Sequence, residues 1–418
     1  MESYVPRLAD RVIEKALSAF GGVLIEGPKF CGKTTTSKQF ANSVAYLQDP
    51  DMRSEYEQMV KVKPSMILEG AKPRLLDEWQ DFPALWDSVR MDIDNRNEDG
   101  LYILTGSVTV DWSKARHTGA GRITRVWMGT MSLFEMGLSS GAVRLTDMFA
   151  NADVQGISSV SVEDMAEIVV RGGWPKSLGK SFEAAREGVK GYCKSIASST
   201  IFDGTVLDED ILAQLIRSLS RNTATSVSDS TLIRDICDKD GSSMHINTLR
   251  YYETVLRNNF VIDDLKAWSP KMRSKTVVRV SDTRYFCDPA IAAYFLKASP
   301  ANLLDDLNKF GYLFESLVIR DLRAYASAIG GEVFHYRDSY GMEVDAVVCL
   351  DDGRWGAIEV KMGQGYIEDA SKNLRIFAER VDEASMGRPS FLAVVTCTMY
   401  AYRREDGVYV VPLACLRD

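Results

Sequence analysis

Apolar positions along the chain follow two rhythms, and the change from one to the other outlines its organisation. Residues 8–20 carry apolar side chains at helical spacing and run into Gly21-Gly22, a helix terminator. Val23-Leu24-Ile25 then reads as a short buried strand. A helix is predicted over 33–42, a second strand over 44–47 and a third at Arg74-Leu75-Leu76-Asp77. A helix over 82–95, a fourth strand at Leu101-Tyr102-Ile103-Leu104-Thr105 and a fifth over 122–128 follow. Uninterrupted apolar strands alternating with helices predict a parallel sheet covered on both faces.

From about residue 150 the helical rhythm takes over. Residues 162–171 are amphipathic and end at the break Gly172-Gly173-Trp174-Pro175, and 182–220 read as helical. Two short helices over 229–236 and 247–256, with a turn near Gly241, suit a helix-turn-helix. Strand-like stretches at 260–265 and 276–280, around Lys271-Met272-Arg273-Ser274-Lys275, would form its wing. After Pro300 a helix is predicted to Ala328, ending at Gly330-Gly331. Strands over 332–337, 342–350 and 354–361, a helix over 368–381 and strands over 391–396 and 407–411 complete a second α/β unit. The expected division is therefore 1–150, 151–298 and 299–418.

Length and composition fit this reading. A chain of 418 residues, 45% hydrophobic and 26% charged, is long enough for two or three ordinary cores. Its N-terminal residues lack a basic segment followed by an apolar one, and no apolar run reaches the ~18 residues a bilayer span requires. The expectation is a cytoplasmic protein without a membrane partner. The seven cysteines (31, 193, 237, 287, 349, 397 and 415) lie singly, so neither a disulfide framework nor a Cys-x-x-Cys zinc site is expected. Fifty basic against 58 acidic residues give a net charge of -8, so any nucleic-acid contact must be local. His117, His245 and His335 are too dispersed for a metal cluster.

Between the first strand and the following helix stands Gly27-Pro28-Lys29-Phe30-Cys31-Gly32-Lys33-Thr34, followed by Thr35. A loop that cradles phosphates turns backbone N–H groups inward, where Cβ atoms would obstruct it; hence Gly27 and Gly32. Lys33 supplies a charge for the β- and γ-phosphates, and Thr34 a hydroxyl for Mg²⁺. These nine residues are the expected ATP-binding set. The third strand ends in Asp77-Glu78, where Asp77 can hold Mg²⁺ and Glu78 can orient and deprotonate an attacking water. The fourth ends in Thr105-Gly106-Ser107, whose hydroxyls would position that water or cap a turn. A transition state with charge on the γ-phosphoryl oxygens wants a further cation. Arg116, Arg122 and Arg125 follow, and Arg122 in Gly119-Ala120-Gly121-Arg122 is the favoured one, within its own chain or on a neighbouring copy.

Together with Leu75-Leu76-Asp77-Glu78-Trp79-Gln80, Leu104-Thr105-Gly106-Ser107, Gly121-Arg122, Ser132-Leu133-Phe134-Glu135 and Gly172-Gly173-Trp174-Pro175, the loop resembles the prokaryotic AAA-type P-loop ATPases that carry a C-terminal domain of unknown function. The resemblance spans nearly the whole chain. It implies an AAA-like sheet, then a helical and winged-helix region, then an α/β unit of restriction-endonuclease type. The chain departs from that pattern in having Gly119 where the family has leucine, and in a weaker basic cluster in the wing.

A second constellation lies between 310 and 361: Glu315 on a helix, Asp345 in Met342-Glu343-Val344-Asp345, and Glu359-Val360-Lys361 on the next strand. Strand alternation puts Glu359 and Lys361 on one face, and Asp345 on the adjacent strand can join them. Two or three carboxylates could hold Mg²⁺, with Lys361 polarising a water or the leaving phosphate and Gln364 assisting. The pattern resembles the PD-(D/E)xK nuclease fold, in which a helix glutamate matching Glu315 adds a ligand. Arg250, Arg257, Lys271, Arg273 and Lys275 are the candidate DNA contacts of the winged helix. Three functions fit: an ATPase that moves its other domains, a metal-dependent DNA nuclease gated by ATP, and a DNA-binding or assembly switch without cleavage, any of them as a homo-oligomer.

Overall fold

The computed structural model describes residues 4–108, 119–198, 201–202, 205–237, 244–271 and 281–418. By compactness the chain divides into Met1–Thr130 with Arg257–Phe260, and Met131–Leu256 with Val261–Asp418. The first boundary thus falls at Thr130, where the sequence places it near 150.

The N-terminal unit is built on five strands: β1 (Gly22–Glu26), β2 (Ser43–Tyr46), β3 (Arg74–Asp77), β4 (Tyr102–Gly106) and β5 (Ile123–Trp127). They lie in the order β2-β3-β4-β1-β5, all parallel. Alternation explains why these strands read as unbroken apolar runs. Leu24, Leu76 and Leu104 enter the core shared with Trp79, Trp86 and Val89, whereas Val23, Ile25, Leu75, Ile103 and Val126 enter the one shared with Ile13 and Cys31. The order also inserts β4 between the strand that leads to the glycine-rich loop and the strand that ends in Asp77. Helix Arg53–Val62 is not foreseen in the sequence pattern, since Tyr56 is its one buried side chain. The predicted helix 33–42 is regular only over Lys33–Ser37.

The second unit starts at Met131 and carries helices Leu145–Phe149, Val162–Arg171, Phe182–Ala197 and Glu209–Arg221. Asp229–Cys237 and Ile246–Asn258 follow as the two short helices expected. The turn near Gly241 and the wing residues Arg273, Lys275 and 276–280 lie outside the described residues. In place of a strand over 260–265, Ile262 and Leu265 form isolated bridges to Phe286 and Thr283.

A mixed sheet carries the C-terminal part: β6 (Gly156–Ile157), β7 (Gly331–Arg337), β8 (Glu343–Leu350), β9 (Trp355–Lys361), β10 (Phe391–Thr396), β11 (Tyr400–Arg403) and β12 (Tyr409–Pro412). Its order is β7-β8-β9-β10-β12-β11-β6. β7, β8 and β9 are antiparallel neighbours, and β9, β10 and β12 run parallel. Helix Leu307–Ala328 precedes this sheet, and helix Ile367–Arg380 joins β9 to β10. Among the described residues no helix is long and apolar enough to cross a membrane. None of the seven cysteines forms a disulfide, and five are buried.

Candidate nucleotide site and carboxylate cluster

The glycine-rich loop leaves β1 at the carboxyl edge of the parallel sheet. A Cβ on Gly27 would lie 2.0 Å from the Met128 carbonyl oxygen, so only glycine fits that approach. Gly32 has φ 105° and caps helix Lys33–Ser37, and Phe30 also takes a left-handed conformation with its ring exposed. The first hydrogen bond inside that helix is Thr36 N–H to Gly32 carbonyl, so the N–H groups of Lys33, Thr34 and Thr35 are those a helix start leaves for an outside acceptor. Lys33 is 4% exposed, and its ammonium donates to the Gly27 and Pro28 carbonyls at 2.9 Å each, which lays it along the loop. Lys29 and Thr35 lie on the exposed side of the loop, and Cys31 is buried with its thiol donating to Met128 carbonyl at 3.2 Å.

The place of β4 beside β3 decides what meets the loop. Thr34 and Thr105 both donate to Asp77 Oδ1 at 2.7 Å. Thr105 Oγ1 in turn accepts the Glu78 N–H at 3.0 Å. Glu78 takes a left-handed conformation, φ 57° and ψ 51°, which ends β3 abruptly. Its Oε2 accepts from Ser107 Oγ at 2.7 Å and from Gln80 Nε2 at 2.6 Å. Thr34, Asp77, Glu78, Thr105 and Ser107 are therefore one hydrogen-bonded set at the sheet edge that carries Gly27–Thr34. Gln80 joins them without any signal in its spacing; it was legible only as a polar residue after an acidic pair.

Arg122 sits elsewhere. It precedes Ile123, which pairs with Gly22 at the amino end of β1, so the length of a five-residue strand, about 15 Å, separates it from the loop of its own chain. Its guanidinium bonds Asp94 at 2.7 Å and Ala120 carbonyl at 3.2 Å. A role at the γ-phosphate within one chain is thereby corrected. Arg125 points toward Glu26, 3.9 Å away, whose carboxyl burial pushes up while Arg125 opposes the shift. Arg116 and His117 lie outside the described residues.

In the second unit the antiparallel register of β8 and β9 brings Asp345 beside Glu359-Val360-Lys361. Asp345 Oδ2 accepts the Val360 N–H at 2.7 Å, and Lys361 Nζ lies 3.4 Å from Asp345 and 2.8 Å from Glu359. Glu359 is buried; burial, then the neighbouring Asp345, push its carboxyl up to about 8, and Asn373 donates to its Oε1 at 2.6 Å. Burial works against the Lys361 charge, but Asp345 and Glu359 outweigh it and hold the ammonium above its ordinary range. Glu315 accepts from Tyr285 OH at 2.5 Å, and burial together with Asp345 raises its carboxyl. Tyr285 and Asn373 were not foreseen, because each reaches the cluster from a distant segment. Lys361 and Tyr285 thus engage the carboxylates themselves, and among the described residues no three of them converge as a ready-made metal cage. Gln364 is exposed.

Of the expected DNA contacts, Arg250 bonds Asp229 at 3.1 Å with its side chain 62% exposed. Arg257 ends helix Ile246–Asn258, and Lys271 is exposed.

Residues 20–137 match a family described as AAA domain. The N-terminal unit carries an AAA P-loop ATPase domain. Residues 162–302 and 310–416 match two families that are each described as a domain of unknown function. No curated protein matches the chain. Among solved structures it is similar to a Walker-type ATPase of Pyrococcus abyssi (14% identity, TM-score 0.44), over 71% of this chain and 97% of that one. It is also similar to the ORC1 protein of Aeropyrum pernix solved in complex with DNA (11%, 0.23), over 73% and 97%. A signal transduction ATPase of Pyrococcus horikoshii with a tetratricopeptide repeat sensor aligns at 14% and 0.21, over 79% and 48%. Scores this low carry no functional assignment. The AAA match includes the glycine-rich loop, Asp77-Glu78 and Thr105–Ser107, and it runs on through Ser132–Glu135, which belong to the second unit.

Proposed function

We propose that the chain hydrolyses ATP with Mg²⁺ and uses the cycle to move its helical and C-terminal parts. The observation that carries this reading is the double acceptance by Asp77 Oδ1 of Thr34 and Thr105, with Glu78 held next to it. A hydroxyl and a carboxylate oxygen 2.7 Å apart are hard donors of the kind Mg²⁺ selects, so Thr34 and Asp77 fit that ion. Bound there, Mg²⁺ supplies positive charge against the β- and γ-phosphates. The protein's own groups do the rest. The N–H groups at the start of helix Lys33–Ser37 and the Lys33 ammonium hold the phosphates. Among the described residues Ser107 and Gln80 both donate to Glu78 Oε2, which leaves Oε1 to take the proton of the attacking water. Thr105 fixes the Glu78 backbone, so the carboxylate direction follows from β4. Arg122 serves the γ-phosphate only from a second copy of the chain.

Thr34→Val tests the metal assignment. In wild type Mg²⁺ should tighten nucleotide binding by about tenfold or more, an ordinary coupling between two ligands. In the variant that gain should vanish while metal-free affinity is unchanged. An undiminished Mg²⁺ effect in the variant would refute the assignment.

A second reading is favoured by the Asp345–Lys361–Glu359 arrangement on adjacent strands. It lies in a helix–strand–strand–strand–helix–strand sequence from Leu307 to Thr396. On that reading the C-terminal part cleaves DNA with a divalent cation and the AAA domain gates it. Mg²⁺- or Mn²⁺-dependent cutting of plasmid or single-stranded DNA should disappear in Asp345→Ala. Equal cutting by variant and wild type would mean a contaminating nuclease.

A further inference from the structure

Two motifs in the sequence, Ser132-Leu133-Phe134-Glu135 and Gly172-Gly173-Trp174-Pro175, have no part in the chemistry above. The structure joins them in one buried ionic hub. Asp321, fully buried on helix Leu307–Ala328, accepts the Leu133 N–H at 2.9 Å and both Nε and Nη2 of its neighbour Arg320. Arg320 reaches on to Asp288 at 3.1 Å, and Asp288 accepts the Gly173 N–H at 2.9 Å while capping helix Pro289–Phe295 through Ala290 N–H. Met131 N–H closes the circuit on Gly173 carbonyl at 2.7 Å. A Cβ on Gly173 would stand 2.3 Å from Met131 carbonyl oxygen and 2.9 Å from Arg320, which is why that position is glycine. Gly172, at φ 70°, ends helix Val162–Arg171. Ser132 and Glu135 close a turn on themselves, the Ser132 N–H and hydroxyl both donating to Glu135 Oε2. Truncating Arg320 would take the shared cation from two buried carboxylates, Asp288 and Asp321, so this end of the segment is stiff.

The other end of the same segment belongs to the phosphate loop. Met128 N–H donates to Glu26 carbonyl at 2.8 Å, and Met128 carbonyl accepts the Cys31 thiol and stands against Gly27. Arg7 bonds Cys31 carbonyl and Gly129 carbonyl at once, at 2.7 and 3.0 Å. From Met128 to Met131 is three peptide steps, at most about 11 Å of chain, so only Thr130 stands between the two anchored ends. Helix Leu307–Ala328, which the hub grips at Arg320 and Asp321, also carries Glu315 of the carboxylate cluster.

We propose that Met128–Glu135 is a strap that transmits nucleotide binding at Gly27–Thr34 to helix Leu307–Ala328, and through it to Glu315. The claim rests on the ATP-binding reading above. Each end of the segment is fixed by hydrogen bonds, one to the phosphate loop and the other to the hub, and the coupling this connection allows is what the experiment measures.

Hydrogen–deuterium exchange with a non-hydrolysable ATP analogue and Mg²⁺ tests it on the full chain, with nucleotide binding measured in parallel. In wild type the amides of 307–328 should exchange more slowly on nucleotide addition, by about fivefold or more, the low end of ordinary coupling. Lys33→Ala should give no change. Inserting two glycines between Gly129 and Thr130 leaves both anchored ends intact, so that variant should bind nucleotide normally and lose the response. Asp321→Asn weakens the acceptor at Leu133 and repeats the test from the far end. Wild type that binds nucleotide without a change in 307–328, or an insertion variant that keeps the response, overturns the strap and leaves the ATP site standing. No nucleotide binding by wild type brings down both.

Discussion

Glu78→Gln is expected to lower ATP turnover by about 10²- to 10⁴-fold, the range in which a positioned proton acceptor contributes. Nucleotide affinity should hold within about threefold, because the lost interaction belongs to the transition state. The amide matches the carboxylate in shape and can still accept from Ser107 and Gln80. What it cannot do is take a proton from water. Phosphate release under saturating Mg-ATP, paired with a fluorescent-nucleotide titration, separates the two quantities. Turnover close to wild type would remove Glu78 from the chemistry; lost affinity would recast it as a binding residue. The left-handed backbone at Glu78 sharpens the expectation, since an outlier of this kind is kept where the surroundings over-determine it. Here Thr105 holds its N–H and two side chains hold its carboxylate.

Lys33→Ala should weaken nucleotide binding by about 100-fold or more, the scale on which removing one partner of a buried charged contact acts. Lys33 is 4% exposed and its ammonium is the donor to two loop carbonyls, so truncation removes a charge and leaves Gly27 and Pro28 without that partner. Lys33→Arg should not rescue, because a planar guanidinium cannot replace a compact ammonium in so close a place. Equal affinities for wild type and Lys33→Ala, in the same titration, would contradict the assignment of the loop.

Much of the AAA domain was legible in the sequence because its strands are buried on both faces, which turns them into short unbroken apolar runs between helices. The loop, Asp77, Glu78, Thr105 and Ser107 were legible for the same reason: each lies at the end of such a strand. The position of Arg122 was not. Sequence spacing says that it is near a strand, whereas the register with Gly22 says which end. Helix Arg53–Val62 escaped because a mostly polar helix leaves almost no apolar stripe. Strand Tyr400–Arg403 escaped because three of its four side chains are exposed, so the strand has no apolar run of its own. In the carboxylate cluster Glu315, Asp345, Glu359 and Lys361 were found by spacing and resemblance, but Tyr285 and Asn373 arrive from other segments, and no local pattern announces them. In that cluster a lysine stands between two of the carboxylates and a tyrosine donates to the third, the partners that buried charges need in the fold.

The central claim is that Gly27–Thr34 with Asp77 and Glu78 forms a hydrolytic Mg-ATP site. Steady-state phosphate release by the purified chain, measured against ATP concentration with Mg²⁺ and again with the metal chelated, tests it most directly. The account predicts saturable release that requires Mg²⁺ and disappears in Glu78→Gln. Release that persists undiminished under chelation or in that variant, or wild type that releases no phosphate above buffer, would contradict it.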